Sequence, residues 1–168
     1  MTRARLPALG YAYVALALPA LLLSLHHERV KTALFTAAAF AYLWFLASLR
    51  SRLIRFDPDG FFASVVVLGG AAYLALQTLA VLDETTKAAA PASACAATVI
   101  IGSSLAALRA RKIPKWFGQA GVTGGLAVLA VGLVEGAADW TLAGEGVFAS
   151  SLGFMLWVIV TATYLLRR

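Results

Sequence analysis

Apolar residues run through this chain in six long blocks separated by short polar breaks, at roughly 6–25, 32–49, 61–82, 88–108, 117–134 and 147–166. Each block is close to the ~20 residues that carry an α-helix, at 1.5 Å per residue, across a ~30 Å hydrocarbon layer. No block contains Asp, Glu, Lys, Arg or His. The residues do not alternate with period two, as the strands of a transmembrane barrel do, and inside lipid a backbone must satisfy its own hydrogen bonds. The pattern therefore predicts an all-α fold: a polytopic membrane helical bundle of six transmembrane helices, forming one integral membrane domain over residues 1–168. The first block follows Arg3 and Arg5, contains Pro19, and is longer than a signal-peptide apolar region; it reads as a retained helix. The fourth, rich in Ala and Ser with Pro91 near its start, is expected to insert against protein neighbours.

Composition narrows the solvent. The chain is 61% hydrophobic and 13% charged, with a mean hydropathy of +0.84. A soluble domain averages about 45–50% apolar and about 25% charged residues, so this chain could not cover its core with polar surface. The net charge of +6 would suit nucleic acid if the cations gathered on one face of a folded domain. They lie instead between apolar blocks, which points to a lipid bilayer and away from nucleic acid. Cys95, the sole cysteine, permits no internal disulfide and no Cys-based zinc site.

The positions of the cations predict how the chain threads. Lys and Arg concentrate in short cytoplasmic loops. With six spans, eleven cations fall on one side, among them Arg50, Arg52, Arg55, Arg109, Arg111, Lys112, Lys115 and the terminal Arg167 and Arg168; Arg29, Lys31 and Lys87 fall on the other. Both termini are thus expected in the cytoplasm of a plasma (inner) membrane protein. The stretch "LAALRARKIPKWFGQAG" (105–121) is the strongest anchor: Arg109, Arg111, Lys112 and Lys115 carry no acidic neighbour, and Trp116 adds an interfacial aromatic. Arg50, Arg52 and these residues are read as topology and lipid anchors, with Pro114 suited to the start of the next helix.

"LASLRSR" (46–52) and "LAALRAR" (105–111) match at five of seven positions, and "GGAAYLAL" (69–76) resembles "GGLAVLAV" (124–131). A duplicated helical hairpin, 32–82 and 88–134, would produce this; so would a shared need for a Leu-rich end and an Arg stop.

Water supplies no hydrophobic drive between helices inside lipid, so close packing at small residues must hold them together. Ala94, Thr98, Gly102, Ala106 and Ala110 recur every fourth residue; Gly121 and Gly125 form a GxxxG pair with Gly118 and Gly132 nearby; Ala149 and Gly153 mark the last block. Gly102, Gly121, Gly125 and Gly153 are the expected packing positions.

Candidate chemistry is sparse. Proton relays and ion-coupled carriers place ionisable groups at depth, and the blocks hold none. Tyr73 and Gln77, with Gln119 and Thr123, could hydrogen-bond across the bundle or line a weakly polar cavity for a small molecule or lipid. His26 and His27, beside Glu28, could join Glu135 and Asp139 as metal ligands or acid–base partners on the outer face, although "HHERVK" is also simply a polar turn. Trp157, Thr161 and Tyr164 share a helical face that reads as an aromatic belt. No cofactor is expected.

The run Lys112, Pro114, Trp116, Gly118, followed by a last block ending "LWVIVTATYLLRR", resembles small multipass membrane proteins of actinobacteria, grouped in families of unknown function. One residue more than in some members separates charge from proline. The resemblance covers roughly residues 40–168, implies a plasma-membrane helical bundle, and supplies no catalytic residues. Empty mid-membrane chemistry and small-residue stripes together lead to an expected role as a non-catalytic accessory or assembly subunit that binds other membrane helices, in a partner protein or a homo-oligomer. The alternatives are the small-molecule or lipid binder and, third, a membrane enzyme using the outer His and acidic residues.

Overall fold

The structure, a computed structural model, describes residues 6–22, 28–83, 88–110, 113–137 and 143–164. They form six α-helices: α1 (Leu6–Leu22), α2 (Glu28–Leu53), α3 (Phe61–Asp83), α4 (Ala89–Arg109), α5 (Lys115–Ala137) and α6 (Ala143–Tyr164). Within the described residues every apolar block is helical. The largest departure from the hydropathy boundaries is α2, which runs through its flanking cations at both ends. Hydropathy falls there, but no Pro or Gly interrupts the helix before Leu53, and long basic side chains can keep their stems on an apolar helix while the charge reaches outward.

Four helical stretches are long and apolar enough to cross a membrane: Val30–Leu53, Phe61–Leu79, Ala90–Arg109 and Lys115–Val134. Among the described residues, Ala8–Leu22 and Ser150–Tyr164 form shorter apolar helices.

The chain divides into two compact units, and the divisions fall within α2 and α6. One unit holds Met1–Leu49 and Met155–Arg168. Here α1 meets α2 and the second half of α6. A Cβ placed on Gly10 would lie 2.9 Å from Ala162 and 3.1 Å from the Phe45 ring, so glycine sets how closely α1 approaches. The Tyr13 and Tyr42 rings pack 5.0 Å apart, and the Tyr11 hydroxyl shares a 2.7 Å hydrogen bond with Thr163.

The second unit, Arg50–Phe154, is built around α4. Of the apolar stretch of α4, 61% is buried, against 28% for α3 and 33% for α5, because α4 packs on both. Along α3 the contacts run from Gly69 on Thr98 to Val66 on Gly102, so the two helices are antiparallel. Along α5 they run from Gly118 on Leu108 and the Ser104 carbonyl, through Gly125 on Ile100 and Ile101, to Gly132 on Ser93. These α5 contacts recur every seven residues, the period of a left-handed helix pair crossing at about 20°. The first half of α6 then touches α3 through Tyr73–Phe154, with ring centroids 4.4 Å apart, and α5 through Gly153–Val128.

The expected packing residues thus divide by what they touch. Gly102 faces α3, Gly125 faces α4 and Gly153 faces α5. Gly121 is buried on α5. Ser48, Thr78, Thr98, Ser103, Ser104, Thr123 and Thr163 each return their hydroxyl to the carbonyl four residues back. In an apolar surrounding this removes the donor without a partner helix.

Candidate functional site

The first polar cluster begins with "FDPDGFF", the link from α2 to α3. Asp, Pro and Gly at the first, second and fourth positions suit a tight turn, and the Gly60 amide donates to the Asp57 carbonyl at 2.9 Å. Gly60 has φ +68°, a conformation in which a side chain would strain the backbone. Its carbonyl accepts the Ser64 amide at 3.0 Å, so Gly60 opens α3. The Phe62 amide, one of the donors that every helix start leaves unpaired, donates to Asp57 Oδ2 at 2.6 Å.

Asp57 is fully buried, and its other oxygen lies 3.5 Å from Nη1 of Arg109 at the end of α4. The Arg109 guanidinium also sits 4.6 Å above the centre of the Phe62 ring. Two contacts therefore orient a side chain that is itself 58% exposed. This Asp57–Arg109 pair was not among the expected site residues as a pair. Asp57 reads in the sequence as one more loop acid, and the signal that could have found it is the Asp-Pro-Asp-Gly turn.

Antiparallel packing brings the start of α3, the end of α4 and the start of α5 to one end of this unit. Arg50, Arg52 and Arg55 belong to the chain entering it; Arg109 and the exposed Lys115 and Trp116 complete it. Among the described side chains, the opposite end carries Gln77, Thr78 and the buried Ser93, Ser150 and Ser151. Arg111 and Lys112 lie outside the described residues.

The four residues expected to line a cavity separate into two pairs. Tyr73 is buried against Phe154, and the Gln77 amide donates to Ser151 Oγ at 3.4 Å. Gln119 and Thr123 are exposed on α5, with the Thr123 hydroxyl turned back to the Gln119 carbonyl at 3.0 Å. The α3–α4 and α4–α5 registers place the pairs at different heights, from about 12 Å (Tyr73 to Thr123) to about 22 Å (Gln77 to Gln119) apart along the helix axes at 1.5 Å per residue. One small cavity does not span both.

His26, His27 and Asp139 lie outside the described residues, as does the side chain of Glu135. Among the described residues no group of three or more His, Cys, Asp or Glu side chains comes together. Of the α6 trio, Thr161 is fully buried with no hydrogen-bond partner for its hydroxyl among the described residues, while Trp157 and Tyr164 are partly exposed.

The two halves of the suspected repeat differ locally. α2 continues helically through Arg50 and Arg52 to Leu53, whereas α4 ends at Arg109 with Ala110 extended at ψ 116°. Gly69 packs on Thr98, but its counterpart Gly124 has open space where a Cβ would be. Comparison with protein-family models, characterised proteins and solved structures finds no match for this chain.

Proposed function

We propose that this protein is a non-catalytic, multipass membrane component of the plasma (inner) membrane that docks against another membrane protein through the outer face of α5. The supporting observation is the composition of that face. Ala120, Gly124, Ala127 and Val131 follow one another at helical spacing, all exposed, while the glycines that hold α5 to α4 point the other way. In lipid a helix gains nothing by hiding apolar surface as such; it gains by close contact, and Gly124 is where a neighbouring backbone can come near. All six helices span in this reading, with both termini cytoplasmic. The gathering of cations at one end of the α3–α4–α5 unit supports that orientation. Copurification from native membranes in mild detergent tests the role: a stoichiometric second chain is expected, and a protein recovered alone in every gentle detergent contradicts it.

A second reading has its own support. Tyr73, Gln77 and Ser151 form a polar spot inside the far half of the bundle, suited to a small hydrogen-bonding solute or lipid. Gln77→Ala and Tyr73→Phe should then release a retained ligand, while Gln119 and Thr123 variants should not.

A further inference from the structure

We propose that α4 forms the floor of a groove for one anionic phospholipid, with the phosphate on Arg109. The helix is buried on the sides that face α3 and α5, and it opens outward along one strip: Thr98, Ile101, Leu105 and Arg109, spaced three, four and four residues apart. Thr98 touches α3 at Gly69 and Ile101 touches α5 at Gly125, so this strip runs between the two flanking helices. It is apolar for most of its length and ends in a guanidinium. That is the layout of an acyl chain under a charged headgroup.

The charge is set for an anion. Arg109 has one nitrogen toward Asp57 and its guanidinium over the Phe62 ring, and the side chain as a whole is more than half exposed. The compensating carboxylate is fully buried behind it, so the cation is what an approaching ligand meets. An oriented guanidinium binds phosphate oxygens in a way a mobile ammonium does not. The exposed aromatics Phe61 and Trp116, at the first turns of α3 and α5, stand at the same end, where rings mark the boundary between hydrocarbon and headgroups. Those rings and the apolar strip favour a lipid over a soluble phosphate.

The proposal rests on the membrane reading above, and the experiment separates the two. The full-length protein is purified from membranes in mild detergent, stripped of lipid, and titrated with dioleoyl phosphatidylglycerol or dioleoyl phosphatidylcholine while bound lipid is counted by native mass spectrometry. The anionic phosphatidylglycerol should bind in preference to the zwitterionic phosphatidylcholine. Arg109→Gln should weaken it about tenfold, the loss of one charge-assisted contact. Arg55→Gln removes the same charge at an exposed position of the same unit and should change it less than about twofold. Equal losses in the two variants would reduce the effect to diffuse charge and overturn the site. Should Arg109→Gln unfold, Arg109→Lys against Arg55→Lys gives the same comparison, with a selective loss expected at Arg109. Inorganic phosphate at matched concentration should leave the lipid bound; displacement would assign the site to a soluble anion and overturn the lipid claim. Recovery of the protein from a detergent-free soluble fraction would instead remove the membrane reading itself.

Discussion

Gly124 and Gly125 are neighbours on one helix with opposite surroundings. A Cβ on Gly125 would sit 2.6 Å from Ile101, whereas one on Gly124 would meet nothing within 4 Å. Both faces of α5 are apolar, so hydrophobicity does not decide which is inside. Close approach decides it: Gly118, Gly125 and Gly132 let α4 in, and the outer glycine has open space beside it. In a bilayer the small residue at the right register does the sorting that polarity does in water.

That contrast is broken most forcefully at the inner face. Gly132→Ala drives a Cβ to 2.5 Å from the Ser93 Cβ, which cannot move without its backbone, and Gly118→Ala meets both Leu108 and the Ser104 carbonyl. Each should cost about 2–3 kcal/mol, as overpacking does, read from unfolding in detergent micelles. Asp57→Ala comes next, at about 2 kcal/mol, because it orphans the Phe62 amide. The ion pair adds little, since the Arg109 side chain is largely exposed. Asp57→Asn, which keeps an acceptor for that amide, should lose about half as much by the same assay. Gly60→Ala should cost about 1 kcal/mol through its left-handed backbone alone. Smallest of all, Gly124→Ala should leave stability within about 0.5 kcal/mol of the parent. The bulkier Gly124→Leu sharpens the comparison: the fold should persist while any copurifying membrane partner is lost.

Much of the fold is legible in the sequence because long apolar blocks without a charged residue satisfy their backbone most simply as helices, and the described part of each of the six is helical. The structure adds what hydropathy does not encode. Arg50 and Arg52 lower the local hydropathy without ending α2, which runs to Leu53 and then passes through turns into Asp57–Pro58. The GxxxG spacing of Gly121 and Gly125 draws the eye, but the contacts on α4 repeat every seven residues, at Gly118, Gly125 and Gly132. The candidate site was less legible. Tyr73 is buried and Gln77 half-buried on α3, while Gln119 and Thr123 stand exposed at another height, because matching residue types on two helices says nothing of their relative height. Asp57 was hidden for the opposite reason: a loop carboxylate looks solvated until a turn folds it beneath an arginine from a distant helix.

The central claim is that the outer face of α5 lies at membrane depth, so that in the protein reconstituted without its partner this face looks into hydrocarbon. A nitroxide attached at Gly124→Cys, in a Cys95→Ala background and reconstituted into lipid vesicles, tests it directly by collisional relaxation. Molecular oxygen, concentrated in the acyl region, should relax the label more effectively than a water-soluble nickel chelate. Relaxation dominated by the nickel chelate would put water against this face and contradict the account.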